Sequence, residues 1–118
     1  MHSTSLGGRF TSQNRLRDPL CYKRVLSSRF RGTAGDVRWY AIIKEEDSPR
    51  LGMATSRRFL NTAVKRNRVK RLIRESFRMR KHLIANKDVV IVVRRSVEDE
   101  QQLRSDLNKI WHRVSEIK

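Results

Sequence analysis

The chain has 118 residues, enough for one domain built on one modest core. Its 28 Lys and Arg against 12 Asp and Glu give a formal charge of +16, a field that draws phosphate backbones or anionic surfaces. The longest apolar run, residues 89–93, falls far short of the roughly 20 residues that span a bilayer. The first part of the chain has no apolar segment of the signal type, and the single Cys21 permits no internal disulfide. A cytoplasmic protein with no membrane partner is the expectation.

In chain order, residues 1–14 are polar, rich in Gly, Ser and Thr, and without period, as expected of a flexible basic arm. Residues 15–118 then form one domain. Asp18 and Pro19 open a short helix as N-cap and first helical residue, with Leu20, Tyr22, Val25 and Leu26 following and an end near Ser28. Turn signals at Arg31-Gly32 and Gly35-Asp36 flank a short strand or an irregular segment. Residues 37–44 alternate as a strand, with Val37, Trp39, Ala41 and Ile43 on one face and Arg38, Tyr40, Ile42 and Lys44 on the other. Glu45, Glu46 and Asp47 mark a turn, and residues 51–56 return as a second strand, expected to pair with the first as an antiparallel hairpin.

Residues 57–81 organise the rest, with eleven Lys and Arg against the single acid Glu75. At about 100° per residue, Val69, Leu72, Ile73, Phe77 and Ile84 form a stripe for burial. Asn67, Lys70, Arg71, Arg74, Arg78 and Lys81 fall mostly on the opposite side. Arg66, Lys70, Arg74 and Arg78 repeat one charge at i, i+4, which destabilises a helix unless an anion neutralises it. The competing reading is a solvated charged face, but the one-sidedness of the charge favours a polyanion partner.

Residues 86–88 look like a turn, and residues 89–93 like a strand apolar on both faces, which belongs at the centre of a sheet. Strand, helix and strand then make a βαβ unit, its last strand parallel to residues 51–56. A final helix opens over residues 96–99 and carries Leu103, Leu107, Ile110, Trp111, Val114 and Ile117 as its stripe. The result is an α+β sandwich of about four strands and three helices.

Catalytic groups are missing from this pattern. His2, His82 and His112 are scattered, the glycines are dispersed, and the acids lie in separate elements. A helix-turn-helix is excluded because strands flank the basic helix. Single-strand binding combines a basic groove with faces for stacking. Tyr22 and Tyr40, widened by Val25 and Leu26, are candidates, with ordinary core packing as the alternative.

The segment KRNRVKRLIRESFR, residues 65–78, closely resembles the signature of the bacterial ribonuclease P protein subunit. RLGMATSRR at residues 50–58 looks like the strand that leads into it, and residues 88–95 like the strand that follows. Arg15 and Leu16, with Tyr22 and Val25, match the first helix, so the resemblance covers about residues 15–115. It implies the order α-β-β-β-α-β-α with a left-handed βαβ crossover. It also implies a ribonucleoprotein that removes the 5′ leader of precursor tRNA, one protein per RNA, in which the RNA subunit holds the Mg²⁺ ions and hydrolyses the bond. Carried over, Arg66, Asn67, Arg68, Lys70, Arg71 and Arg74, with Arg57, Arg58 and Lys65 beside them, contact the ribonuclease P RNA. Tyr22, Val25 and Leu26, with Tyr40 on the sheet, line the leader cleft. Leu26 stands where the family often has an aromatic residue. A ribosomal or ribosome-assembly protein is the alternative reading of the same charge and fold.

Overall fold

The structure of the chain, a computed structural model, describes residues 9–118. Its elements are α1 (Pro19–Leu26), β1 (Arg31–Ala34), β2 (Val37–Ile43), β3 (Arg50–Thr55), α2 (Ala63–Arg80), β4 (Lys87–Val93) and α3 (Glu100–Ser115). Each helix starts at a side-chain cap. Asp18 accepts the amide of Leu20 at 2.9 Å, Thr62 that of Lys65 at 3.1 Å, and Asp99 those of Gln101 and Gln102 at 3.0 and 3.2 Å. Such caps each contribute about 1 kcal/mol. Among the described residues no helix is long and apolar enough to cross a membrane.

The sheet order is β1-β2-β4-β3, with β4 antiparallel to β2 and parallel to β3. The parallel β3-α2-β4 unit is as the sequence indicates. The expected hairpin between β2 and β3 is not formed, because β4 stands between them. Val89 to Ile91 are fully buried, and a strand apolar on both faces needs a neighbour on each side. The segment after β2 therefore crosses two inter-strand spacings, about 10 Å, which five or six residues span with ease. The expected turn at residues 86–88 is also corrected, since Lys87 and Asp88 already belong to β4 and are buried.

Alternation along the strands divides the interior in two. Val37, Trp39, Ala41, Leu51, Val89, Ile91 and Val93 face α2 and α3, meeting Val69, Ile73, Phe77, Leu107 and Trp111. Phe77 packs edge-on against Trp111, with centroids 5.8 Å apart, and Trp111 Nε1 donates to Ser76 Oγ at 2.7 Å. Trp111 is thus a core anchor with its polar edge satisfied. On the other face, Val25 of α1 and Leu16 pack against Tyr40 and Val90. That second layer is small, because α1 has only eight residues.

The arm expected over residues 1–14 is packed in its last part. Phe10 meets the Phe77 ring edge-on at 5.6 Å, and Asn14 is buried, donating to Pro49 O at 2.8 Å and accepting from Lys81 Nζ at 3.1 Å. Residues 1–8 lie outside the described residues.

Candidate RNA-binding surfaces

The core-facing stripe of α2 fixes where its cations point. With Val69, Ile73 and Phe77 buried, the i, i+3, i+4, i+7 set Asn67, Lys70, Arg71 and Arg74 shares one outer face. Burial and the neighbouring Arg15 and Arg71 push the Arg74 guanidinium below its ordinary pKa. Arg15 therefore joins this cluster from the segment clipped down by Phe10 and Asn14. A concentration of like charge held in place by the core is suited to successive phosphates. Arg78 is ion-paired with Glu75 at the end of the face.

The other expected members are placed differently. Arg66 is half-buried and donates from Nη1 to Leu60 O at 3.0 Å, so it ties the segment before α2 to the helix. Arg68 lies on the flank of this face that meets α3, where it pairs with Glu100 at the start of that helix. Lys65 is exposed on that same flank, beside Ser96 and Glu98. Arg57 and Arg58 are exposed just after β3, where Arg58 lies over the Phe59 ring at 5.8 Å. The cations expected to act together are thus spread over two flanks of one helix.

A second surface lies on the sheet's other face, beside α1. Tyr22 is half-buried and Leu26 exposed; Tyr22 packs in the same cluster as Val92, which lies in one row with Arg38 and Ala54, all three half-buried. Gly52 admits the Tyr22 ring, since a Cβ there would lie 2.5 Å from Tyr22 Cε2. Val25 corrects the sequence reading. It has no exposed surface and packs inward, so it offers a ligand nothing to touch. Tyr40 is also buried, with Arg31 stacked over its ring at 5.0 Å and Arg38 Nη1 3.4 Å from its hydroxyl. The aromatic wall of this cleft is therefore Tyr22, and its charge comes from Arg31 and Arg38. Strand alternation places Arg38 beside Tyr40 in the sequence, whereas Arg15 carries no local signal. A groove lined by Ala54, Ser56, Lys70 and Val92 lies between that row of the sheet and α2.

Burial against the sheet raises the pKa of Tyr22 above 10.0. The chain has two tyrosines, so Tyr40→Phe leaves one phenol to follow by tyrosinate absorbance. We expect it to ionise above 10.0. Stability then falls as pH rises from the unfolded-chain value towards the folded one, because the unfolded chain loses its proton first. Titration at or below the ordinary value would mean a ring free of the sheet.

Among the described residues no three His, Cys, Asp or Glu side chains are grouped to hold a metal ion. The ribonuclease P family model matches residues 10–115. The chain belongs to the ribonuclease P protein family. A ribonuclease P protein component from Pseudoalteromonas translucida is 33% identical over 109 residues, covering 91% of this chain and 78% of the relative. The ribonuclease P protein of Staphylococcus aureus superposes with a TM-score of 0.75 at 26% identity, over 84% of this chain and 93% of that one. That of Thermotoga maritima shares the fold, with a TM-score of 0.71 at 24% identity over 88% and 97% of the two chains. The protein is a bacterial ribonuclease P protein component, an RNA-binding subunit in tRNA processing. The ribosomal alternative is not favoured.

Proposed function

We propose that the two surfaces hold two different RNAs. The outer face of α2, with Asn67, Lys70, Arg71, Arg74 and the adjoining Arg15, binds the ribonuclease P RNA. Arg57, Arg58, Lys65 and Arg68 add contacts on its flanks, and Arg66 positions the segment before the helix. The cleft of Tyr22, Leu26, Arg31 and Arg38 takes the single-stranded 5′ leader of precursor tRNA. Hydrolysis and Mg²⁺ belong to the RNA subunit, with one protein per RNA, in the cytoplasm. The observation that carries this reading is a polycationic helix face with Lys70 at the groove beside Ala54 and Val92, the row of the sheet that lies next to the half-buried Tyr22. A helix face crowded with guanidinium groups suits phosphates of a folded RNA, whereas a half-buried sheet row beside a ring suits unstacked bases.

The protein's contribution is electrostatic. Guanidinium groups between two polyanions screen their repulsion, so less Mg²⁺ is needed to assemble them. The test is precursor tRNA cleavage at low Mg²⁺ with protein alone, ribonuclease P RNA alone, and both. We expect correct 5′ processing in the mixture alone, and loss of the protein's advantage when the leader is cut back to one nucleotide. Cleavage by purified protein alone would overturn the division of labour.

A further inference from the structure

Arg68 and Glu100 meet in a groove where α2 passes the first turn of α3. It has a volume of about 540 Å³ and is lined by Asn67, Arg68, Arg71, Leu72, Glu100 and Arg104. Three guanidinium groups, one carboxamide and the apolar Val64 and Leu72 thus line one opening with one carboxylate, and Arg68 is the group that pairs with it. Arg71 follows Asn67 by one turn on α2, and Arg104 follows Glu100 by one turn on α3, so both helices present their donors to the same opening. Glu100 is not needed as a cap, since Asp99 already accepts the amides of Gln101 and Gln102. Its side chain is one-third exposed and that of Arg68 about two-thirds, so the pair can open without disturbing the core.

We propose that this groove is a phosphodiester-binding site for RNA, held in the free protein by the Glu100 carboxylate. The proposal rests on the reading that α2 binds the ribonuclease P RNA, and it extends that footprint onto α3 through Arg104. A carboxylate and a phosphodiester present similar paired oxygens to a guanidinium. A phosphate delivered by a folded RNA also releases its condensed counterions. Exchange is favourable when the RNA carries a strand across both helices. An RNA that touches α2 alone leaves Arg68 with Glu100 and gains one contact fewer. Glu100 therefore lowers affinity for unstructured RNA and acts as a specificity-determining residue.

The test compares Glu100→Gln, Arg104→Ala and Lys70→Ala in the full-length protein, by titration against polyuridylate and against ribonuclease P RNA across a salt series. We expect Glu100→Gln to tighten polyuridylate binding by about threefold, within what an exposed ion pair can contribute. Its salt slope should steepen by about 0.7. Arg104→Ala should weaken binding to ribonuclease P RNA and flatten its salt slope by about one contact. A wild-type slope in either groove variant overturns the proposal. If Lys70→Ala weakens binding at the same time, the reading of α2 survives that failure. If Lys70→Ala also binds as wild type, the reading of α2 falls and the groove with it.

Discussion

Asp88→Ala is expected to destabilise the protein by about 3–5 kcal/mol, because it removes the shared counter-ion of two cations. Asp88 is 1% exposed. It accepts Lys44 Nζ at 2.9 Å and grips Arg50 with both oxygens, at 3.0 Å from Nε and 2.6 Å from Nη2. That grip holds the Arg50 guanidinium above its ordinary pKa. Lys44 is only 12% exposed, so after truncation its ammonium keeps the Ser48 carbonyl but has little water and no counter-ion. The loss also adds one positive charge to a chain already at +16 and increases self-repulsion. Urea unfolding monitored by circular dichroism measures the effect. Replacing all three residues with apolar side chains of similar volume should recover most of the loss, since a buried ion network is costly to break but cheap to replace. An Asp88→Ala protein with the wild-type midpoint would show that the cations reach water without help.

The same residue shows where sequence reasoning stops. Asn86, Lys87 and Asp88 look like a turn because each is polar, and nothing local reveals that Asp88 meets Lys44 and Arg50 from two other segments. The cap of α1 and the helix stripes are legible because they depend on spacing within one turn, whereas Thr62 and Asp99 carry no signal that sets them apart as caps from their polar neighbours. Asp18, Pro19, Val69, Ile73 and Phe77 stand where periodicity puts them. The central place of β4 was legible too, from its two apolar faces. What that place does to β2 and β3 was not, since strand order is settled by packing across the whole sheet. Among the site residues, the shared face of Asn67, Lys70, Arg71 and Arg74 follows from the helical period. Arg68 borders that set on the side of α3, and its pairing with Glu100, far away in sequence, has no local signal. Val25 shares its helix face with Tyr22, and periodicity alone does not tell which of the two is covered by the sheet; Val25 is, fully.

Lys70, Arg71 and Arg74 changed together to Ala should give opposite effects on binding and on folding. Three cations removed from phosphate contact flatten the salt dependence by about 2–3 units and weaken binding to ribonuclease P RNA on the order of 100-fold near 0.1 M salt. Folding should become slightly more favourable. Lys70 and Arg74 repel at i, i+4, as do Arg71 and Arg74 at i, i+3, and Arg15 adds to the charge beside Arg74. Like-charge pairs of this kind cost a helix about 0.2–0.5 kcal/mol each, and Ala is the best helix former. Filter binding across a salt series and urea unfolding of the same preparation separate the two. Weaker binding with an equal or higher unfolding midpoint identifies a surface kept at some expense to the fold, which is what a site for a polyanion requires. A lower midpoint would mean that the aliphatic stems of these residues support the helix, and the binding loss would then report on folding rather than on phosphate contact.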